Sequence, residues 1–318
     1  MRHSVTVAIP VYNGEIFIKD AIISIINQNV KVNEIIIFDN KSTDSTIKEI
    51  ENIKNEFQNI NIRLFINDMN LGYQRNWNKC LENASSDFVL LLHADDMLKS
   101  DTIEKQLNFL NKHDDFALVG GQEDYVNEKG EISFAKDFSI DKLFEKGEVC
   151  EFVKETNSYI PCSSVMFDMV KIRKVGFFDT DVLATDELYW PKVLSQFPIA
   201  VLGESLINRR IHPGQTEYND FKKQKEKIID WAKHFRKVVD YEKRENKIGE
   251  MKLLVKRKIS NTYLGISRSV IIHHKSFKLH LFYIMNCIKF QPEIIFELRF
   301  WKSLIKSWLI YLNFIADK

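Results

Sequence analysis

Two adjacent carboxylates, Asp95 and Asp96, close the apolar run Phe88-Val-Leu-Leu-Leu-His93-Ala in a chain of 318 residues. A hard divalent cation takes oxygen ligands and leaves its other positions to water and phosphate, so paired acids at the mouth of a buried strand suit Mn2+ or Mg2+. An Asp-rich turn would use the same residues without chemistry. Other groups bear on the choice. Pro10-Val11-Tyr12-Asn13 follows the run Val5-Thr-Val-Ala-Ile9, and Asp39, with Ser42 and Asp44, follows Glu34-Ile-Ile-Ile-Phe38. Asn70-Leu-Gly72 precedes Arg75 and Asn76, while Asp186, Glu187, Arg210 and His212 come later. A carboxylate can take the proton of an attacking hydroxyl, an arginine can meet phosphate, and a histidine can ligate a metal. Taken singly, each also has a plain structural use. Asp39 is a turn former, Asp186 an acid stabilised at a helix start, Tyr12 a packed aromatic, Arg75 and Arg210 solvated cations, and His212 a loop hydrogen-bonder.

Alternating strand and helix patterns must position these groups. Strands are expected at residues 5–9 (closed by Pro10), 34–38, 61–66, 88–92 and 116–120, and helices at 15–27, 74–83 and 100–113. A further helix, capped by Ser42 or Thr43, places Ile47, Ile50, Ile53 and Phe57 on one face. Residues 121–160 read as hairpin and loop, with a turn at Asn127-Glu-Lys-Gly130. A strand at 163–167, helices at 170–175 and from 184, and strands at 199–202 and 205–212 follow. Such βα alternation predicts an α/β fold with a mostly parallel sheet, flanking helices, and ligand groups at the C-terminal strand ends.

In that order the signals resemble the inverting glycosyltransferases of family 2, which have the GT-A fold, over roughly residues 4–217. Gly176-Phe-Phe-Asp179 with Asp186 and Trp190 resembles the segment carrying that family's catalytic acid, and Arg210-Ile-His212-Pro-Gly-Gln215 resembles its late Arg-x-His-x-x-Gln element. The resemblance implies a nucleotide-sugar donor, a UDP-sugar before others, with Asp39 on the base, Pro10 and Tyr12 framing it, and Asp95 and Asp96 on ribose and metal. It implies donor contacts from Asn70, Arg75, His93 and Arg210, His212 on the metal or diphosphate, and Asp186 as general base, with Glu187 its neighbouring competitor. Two positions depart from the family pattern: His93 stands where an Asp is common, and Thr185 where a Glu is common. The Gln-x-x-Arg-Trp motif of processive synthases is absent, which implies one sugar per encounter.

Composition bounds the rest. Hydrophobic residues make up 45% and charged ones 28%, as in an ordinary globular protein. The net charge of +1 conceals an asymmetry: residues 1–219 carry 23 Lys and Arg against 34 Asp and Glu, and residues 220–318 carry 22 against 10. A boundary near 218 is expected, dividing a GT-A catalytic domain (1–218) from a basic helical region (219–318). The end of that region, Arg299 to Phe314, mixes cations with Trp301, Trp308 and Tyr311, a composition suited to a membrane surface or to a lipid-linked glycan acceptor. A bundle with merely solvated lysines would share it.

No nucleic-acid motif is present. The four cysteines lack CxxC spacing, and no signal peptide or membrane span is evident. The expected location is the cytoplasm, peripheral on the inner membrane's cytoplasmic face if the tail binds lipid. Rival readings are a non-catalytic nucleotide-sugar-binding protein, kept open by His93 and Thr185, and a sugar-phosphate nucleotidyltransferase, disfavoured because no Gly-rich loop follows the first strand. The missing GxGxxG disfavours a dehydrogenase.

Overall fold

Uninterrupted apolar and β-branched residues build β1 (Val5–Val11) and β2 (Glu34–Asp39), and every residue of both is buried. Strands covered on both faces have no solvent side and need no polar alternation. The computed structural model describes residues 4–134, 140–157, 159–182, 185–212, 235–269, 277–296, 300–302, 304–306 and 308. The chain divides into two compact units, Met1–Phe221 and Lys222–Lys318.

In the first unit, amphipathic helices α1 (Ile18–Ile26) and α2 (Thr46–Glu56) follow β1 and β2, and α3 (Tyr73–Asn83) follows β3 (Ile62–Ile66). The apolar faces of α1 and α2 bury Ile18, Ile22, Ile25, Ile50 and Ile53 against Val5, Val7, Ile35 and Ile37. These strands pair in parallel, with β1 between β2 and β4 (Phe88–Leu91).

The sheet order is β3-β2-β1-β4-β9-β6-β10-β5, with β7 (Ile132–Phe134) beside β6 and β8 (Lys142–Phe144) beside β10. Its second half is mixed. The short β9 (Met166–Asp168) runs antiparallel to β4 and to β6 (Leu118–Val126), and β10 (Ile199–Arg210) runs parallel to β6 and antiparallel to β5 (Met97–Leu98). Asp168 ends β9 by accepting from the backbone N–H of Val170 at 3.0 Å, which starts α6 (Met169–Val175). The α/β class and flanking helices agree with the sequence; the parallel pairing holds for the first four strands in space and gives way beyond β4.

Four local details differ from expectation. Pro10 lies inside β1, opposite Phe38, because pairing with β4 has ended at Ala8 and Leu91 and its missing N–H costs no ladder bond there. Neither Ser42 nor Thr43 caps α2: Asp44 Oδ1 accepts from the Thr46 N–H at 3.0 Å, while Ser42 Oγ and the Thr43 N–H bond across to Asn13. The segment read as hairpin and loop also contains α5 (Val149–Thr156), whose Val149, Cys150, Phe152 and Val153 form one buried face. The two late strands are one, β10, interrupted by register shifts between Val201 and Ile207.

Two further helices, α4 (Thr102–Lys112) and α7 (Thr185–Leu194), complete the first unit's frame. In the second unit, the helices Glu245–Ser269 and Phe277–Phe290 pack together, burying Met251, Val255, Ile259, Tyr283 and Cys287. Among the described residues, no helix is long and apolar enough to cross a membrane. Of the aromatic end, Trp301, Ile305 and Trp308 are described and exposed, whereas Arg299, Tyr311 and Phe314 lie outside the described residues, as does Gln215.

Candidate functional site

The parallel strands deliver their C-terminal residues to one sheet edge. At the end of β2, Asp39 is 0% exposed. Its Oδ2 accepts from the Ser42 N–H at 2.9 Å, while Oδ1 is buried without a hydrogen-bond partner. A buried acceptor in that condition costs roughly 1–3 kcal/mol until something donates to it. Tyr12, just past β1, is 49% exposed rather than packed, and Pro10 is buried in the strand leading to it.

Asparagines lace the loops around Asp39. Asn40 Nδ2 donates to Asn70 Oδ1 at 3.0 Å, and Asn40 Oδ1 accepts from the Leu71 N–H at 2.9 Å and from Asn67 Nδ2 at 3.1 Å. Asn67 also donates to Asn76 Oδ1 at 2.8 Å, and Asn76 donates to the Phe38 carbonyl at 2.9 Å. Asn70 is thus partly a scaffold residue, and Gly72 reaches φ 81° where the loop enters α3. Arg75 is exposed on α3.

Past β4, ligand atoms of His93, Asp95 and Asp96 lie within 4.8 Å of one another. Asp96 is the buried member: Oδ2 accepts from Ser163 Oγ at 2.6 Å and Oδ1 from the Arg210 N–H at 3.2 Å. Burial, then the neighbouring charge of Asp95, pushes its carboxyl up to about 8, against the pull of Ser163, Arg209 and the Arg210 N–H. Asp95 is partly exposed, with Oδ2 3.3 Å from His212 Nε2. Ligands of one ion at ~2.1 Å stand ~3–4 Å apart, and the 3.3 Å pair and the 3.9 Å between His93 Nδ1 and Asp96 Oδ2 both fit. Carboxylate, imidazole and a negative charge excess suit a divalent cation.

Adjacent arginines separate here. Arg210 is 1% exposed, and its guanidinium donates to Asp20 Oδ2 at 2.7 Å, the Glu128 carbonyl at 2.5 Å and the Asp95 carbonyl at 3.2 Å, stacked over Phe17 at 4.5 Å. The residue offered as a phosphate contact therefore braces the Asp95–Asp96 loop. Arg209 turns to the opposite sheet face, where Nη1 donates to Tyr159 Oη at 2.9 Å and to Glu123 Oε1 at 3.4 Å.

Asp186 sits half-buried in the first turn of α7. Burial pushes the nearby Cys162 thiol up, and the charges of Asp186 and then Asp96 add to it. The loop before α7 is pinned to α3, since Asn78 exchanges hydrogen bonds with Phe178 and Gln74 donates to the Val182 carbonyl at 2.9 Å. Thr185 Oγ1 donates to the Asp179 carbonyl at 2.7 Å, a use for the hydroxyl where a Glu was expected.

Ser163, Asn40, Asn67, Trp77 and Arg209 went unnoticed in the sequence. Asn40 adjoins Asp39 and Asn67 directly follows β3, so both could have been found as strand-end polar residues. Ser163, Trp77 and Arg209 carry no such local signal.

Residues 6–173 match the model of "Glycosyl transferase family 2". Two uncharacterised glycosyltransferases of Haemophilus influenzae are similar, one 36% identical over 106 residues, 33% of this chain and 42% of the relative, the other 28% identical over 217 residues, 67% of each. Bacillus subtilis TuaG, a proposed teichuronic acid biosynthesis glycosyltransferase, is 35% identical over 33% of this chain and 41% of its own. The match thus spans less than half the length of two of these three relatives. Among solved structures, S. aureus TarS 1–349 with UDP-GlcNAc is similar at TM-score 0.67 and 18% identity, covering 91% of this chain and 80% of that one. The mannosyltransferase PcManGT of Pyrobaculum calidifontis with GDP-Man and Mn2+ follows at TM-score 0.59 and 15% identity, covering 98% and 88%. Both likenesses concern the fold.

Proposed function

We propose that this chain, which belongs to glycosyl transferase family 2, is an inverting, non-processive enzyme that moves one sugar from a nucleotide-sugar donor to a glycan hydroxyl. The observation that carries the reading is the buried, unpartnered Asp39 Oδ1 on the same sheet edge as His93, Asp95 and Asp96. An unmet acceptor and a cation cluster on one sheet edge suit a base joined to a diphosphate. Asp39 accepts a base N–H, Pro10 and Tyr12 frame the ring, Asn70 closes the loop beside it, and Arg75 faces the solvent side of the donor. Asp95 and His93 meet ribose.

A divalent cation, Mn2+ or Mg2+, held by Asp95, Asp96 and His212 would neutralise charge on the leaving diphosphate. Arg210 and Ser163 hold that loop in place. Asp186 takes the proton from the acceptor hydroxyl as its oxygen bonds to the anomeric carbon. The bond from that carbon to the diphosphate oxygen breaks on the opposite face, the electron pair leaves with the nucleoside diphosphate, and configuration inverts. A UDP-sugar donor is supported by likeness to a fold crystallised with UDP-GlcNAc. TuaG's name supports a surface polysaccharide as product. A lipid-linked acceptor, met at the cytoplasmic face of the membrane, is supported by the basic second unit and the exposed Trp301, Ile305 and Trp308.

A panel of UDP-, GDP- and dTDP-sugars with an acceptor-rich membrane extract, with and without Mn2+ or Mg2+, tests this. The expected result is metal-dependent nucleotide release from one donor. In Asp186→Asn that release falls roughly 10²–10⁴-fold while nucleotide binding persists. Nucleotide binding without release from any donor in the parent would establish a non-catalytic binding protein instead.

A further inference from the structure

In the second unit, the helix Phe277–Phe290 has two apolar faces and buries one of them. At about 100° per residue, His280, Tyr283, Ile284 and Cys287 share one arc, and all four are buried. They meet the helix Glu245–Ser269: Ser260 Oγ donates to the Cys287 carbonyl at 3.2 Å, His280 Nδ1 lies 2.9 Å from the Ser267 carbonyl, and the Tyr263 and Tyr283 rings stand 6.2 Å apart. Lys278, Leu281, Phe282, Met285 and Lys289 share the opposite arc, and all five are exposed. Leu281 is 43% and Met285 64% exposed, while Phe282 roots its half-exposed ring edge-on against Tyr283 at 5.3 Å. A helix apolar on both sides ordinarily sits inside a protein, so this outer face calls for a cover.

Its charge pattern says what that cover is. The face is apolar in the middle and cationic at both ends, and the helix carries no Asp or Glu. Lysine stems can lie along apolar ground while their ammonium groups reach phosphate. With 14 residues the helix is ~21 Å long, too short for a hydrocarbon core of ~30 Å, so it lies along a bilayer. The helical residues Trp301, Ile305 and Trp308 repeat the pattern at i, i+4 and i+7, with Lys302 and Lys306 exposed beside them. A second copy seated on this face about a twofold axis would set lysine against lysine, with no acid on the helix to offset them. A nucleic acid would leave Leu281 and Met285 in water. An anionic lipid surface meets both the apolar centre and the cationic ends.

We propose that the outer face of Phe277–Phe290 docks in the interface of an anionic bilayer, with Leu281, Phe282 and Met285 below the headgroups and Lys278 and Lys289 among the lipid phosphates. The inference deepens the preceding reading that the acceptor is lipid-linked and met at a membrane, and rests on it.

The test sediments the full chain, without donor, cation or acceptor, with vesicles of phosphatidylcholine alone or mixed with phosphatidylglycerol. The parent is expected to pellet with the mixed vesicles, with an affinity that falls as salt rises. The double variant Leu281→Gln, Met285→Gln keeps helix propensity and binds about 10-fold or more weakly. Lys278→Gln with Lys289→Gln weakens binding about 5- to 30-fold and flattens the salt dependence. Circular dichroism checks that each variant is folded. A parent that stays in solution beside mixed vesicles overturns the inference, as does a folded Leu281→Gln, Met285→Gln variant that binds as the parent does. A vesicle-free dimer of the parent that this variant loses overturns it too, and gives the face to a second copy. The assay needs no substrate, so vesicle binding without sugar transfer would sink the catalytic reading and leave this inference standing; transfer without vesicle binding does the reverse.

Discussion

Strand β2 begins and ends on a buried acid, and the two ends of the sheet treat their acids oppositely. At the start, Glu34 Oε1 accepts from Thr6 Oγ1 at 2.7 Å, Ser85 Oγ at 2.8 Å and the Ser85 N–H at 3.1 Å, and Oε2 from Arg63 Nη1 at 2.9 Å. At the finish, Asp39 has one oxygen satisfied and one enclosed without a partner. Same strand, same charge, similar burial: the difference lies in whether the protein supplies the donors. A carboxylate the fold satisfies belongs to stability, and one left unsatisfied at a strand's C-terminal end is set for a ligand.

Substitution can break this contrast. Asp39→Asn must keep its amide oxygen toward the Ser42 N–H, which turns an NH2 donor to where a base N–H is expected. Nucleotide affinity should fall about 10- to 100-fold, the worth of a charged hydrogen bond, with little change in Tm. Isothermal titration beside thermal unfolding separates the two effects; equal losses in both would erase the contrast.

Arg210→Gln sharpens it on the mixed half of the sheet. Losing the bonds to Asp20, Glu128 and Asp95 should lower stability by about 2 kcal/mol in urea unfolding, whereas the partly exposed Arg209→Gln should cost about half as much. The reverse ranking would mean that the brace has been assigned to the wrong arginine.

Glu34→Gln carries the smallest effect, about 1 kcal/mol, and none on nucleotide binding. Burial alone would raise the Glu34 carboxyl, but the hydrogen bonds from Thr6, Ser85 and Arg63 outweigh it and hold it below its usual value of 4.5. Its stabilisation is therefore present above pH 4.5 and lost as pH falls through the lower folded value. Tm of parent and variant, compared across acid pH, should differ above 4.5 and converge below.

The same contrast explains what was legible in the sequence. Asp39 and the Asp95–Asp96 pair were readable because each follows an apolar strand of the parallel half, whose C-terminal ends share one edge. Tyr12 was ambiguous, since a side chain beyond a strand end has no periodicity to declare its exposure. The short strand expected at 163–167 is met by β9, but its antiparallel direction escaped because three residues have too little pattern to give one, and α5 escaped because its apolar face spans barely two turns. Ser163 meets Asp96 from 67 residues away, Arg209 meets Tyr159 and Glu123 from 50 and 86, and Trp77 stacks on His93 across a loop and a strand, none of it announced by a spacing rule. Arg210 was found, but its facing was not, because that depends on the register of β10.

That register has an evolutionary side. Between Val201 and Ile207, β10 advances six residues while β6, from Gly120 to Glu123, advances three. An odd surplus reverses which side chains meet each face of the sheet. Losing a single residue around Gly203–Ser205 would therefore exchange Arg209 and Arg210 wholesale, putting the brace beside Tyr159 and Glu123 and the other arginine over Phe17. Descendants of this chain can vary β10 freely by substitution, yet length changes there are open to them only in pairs.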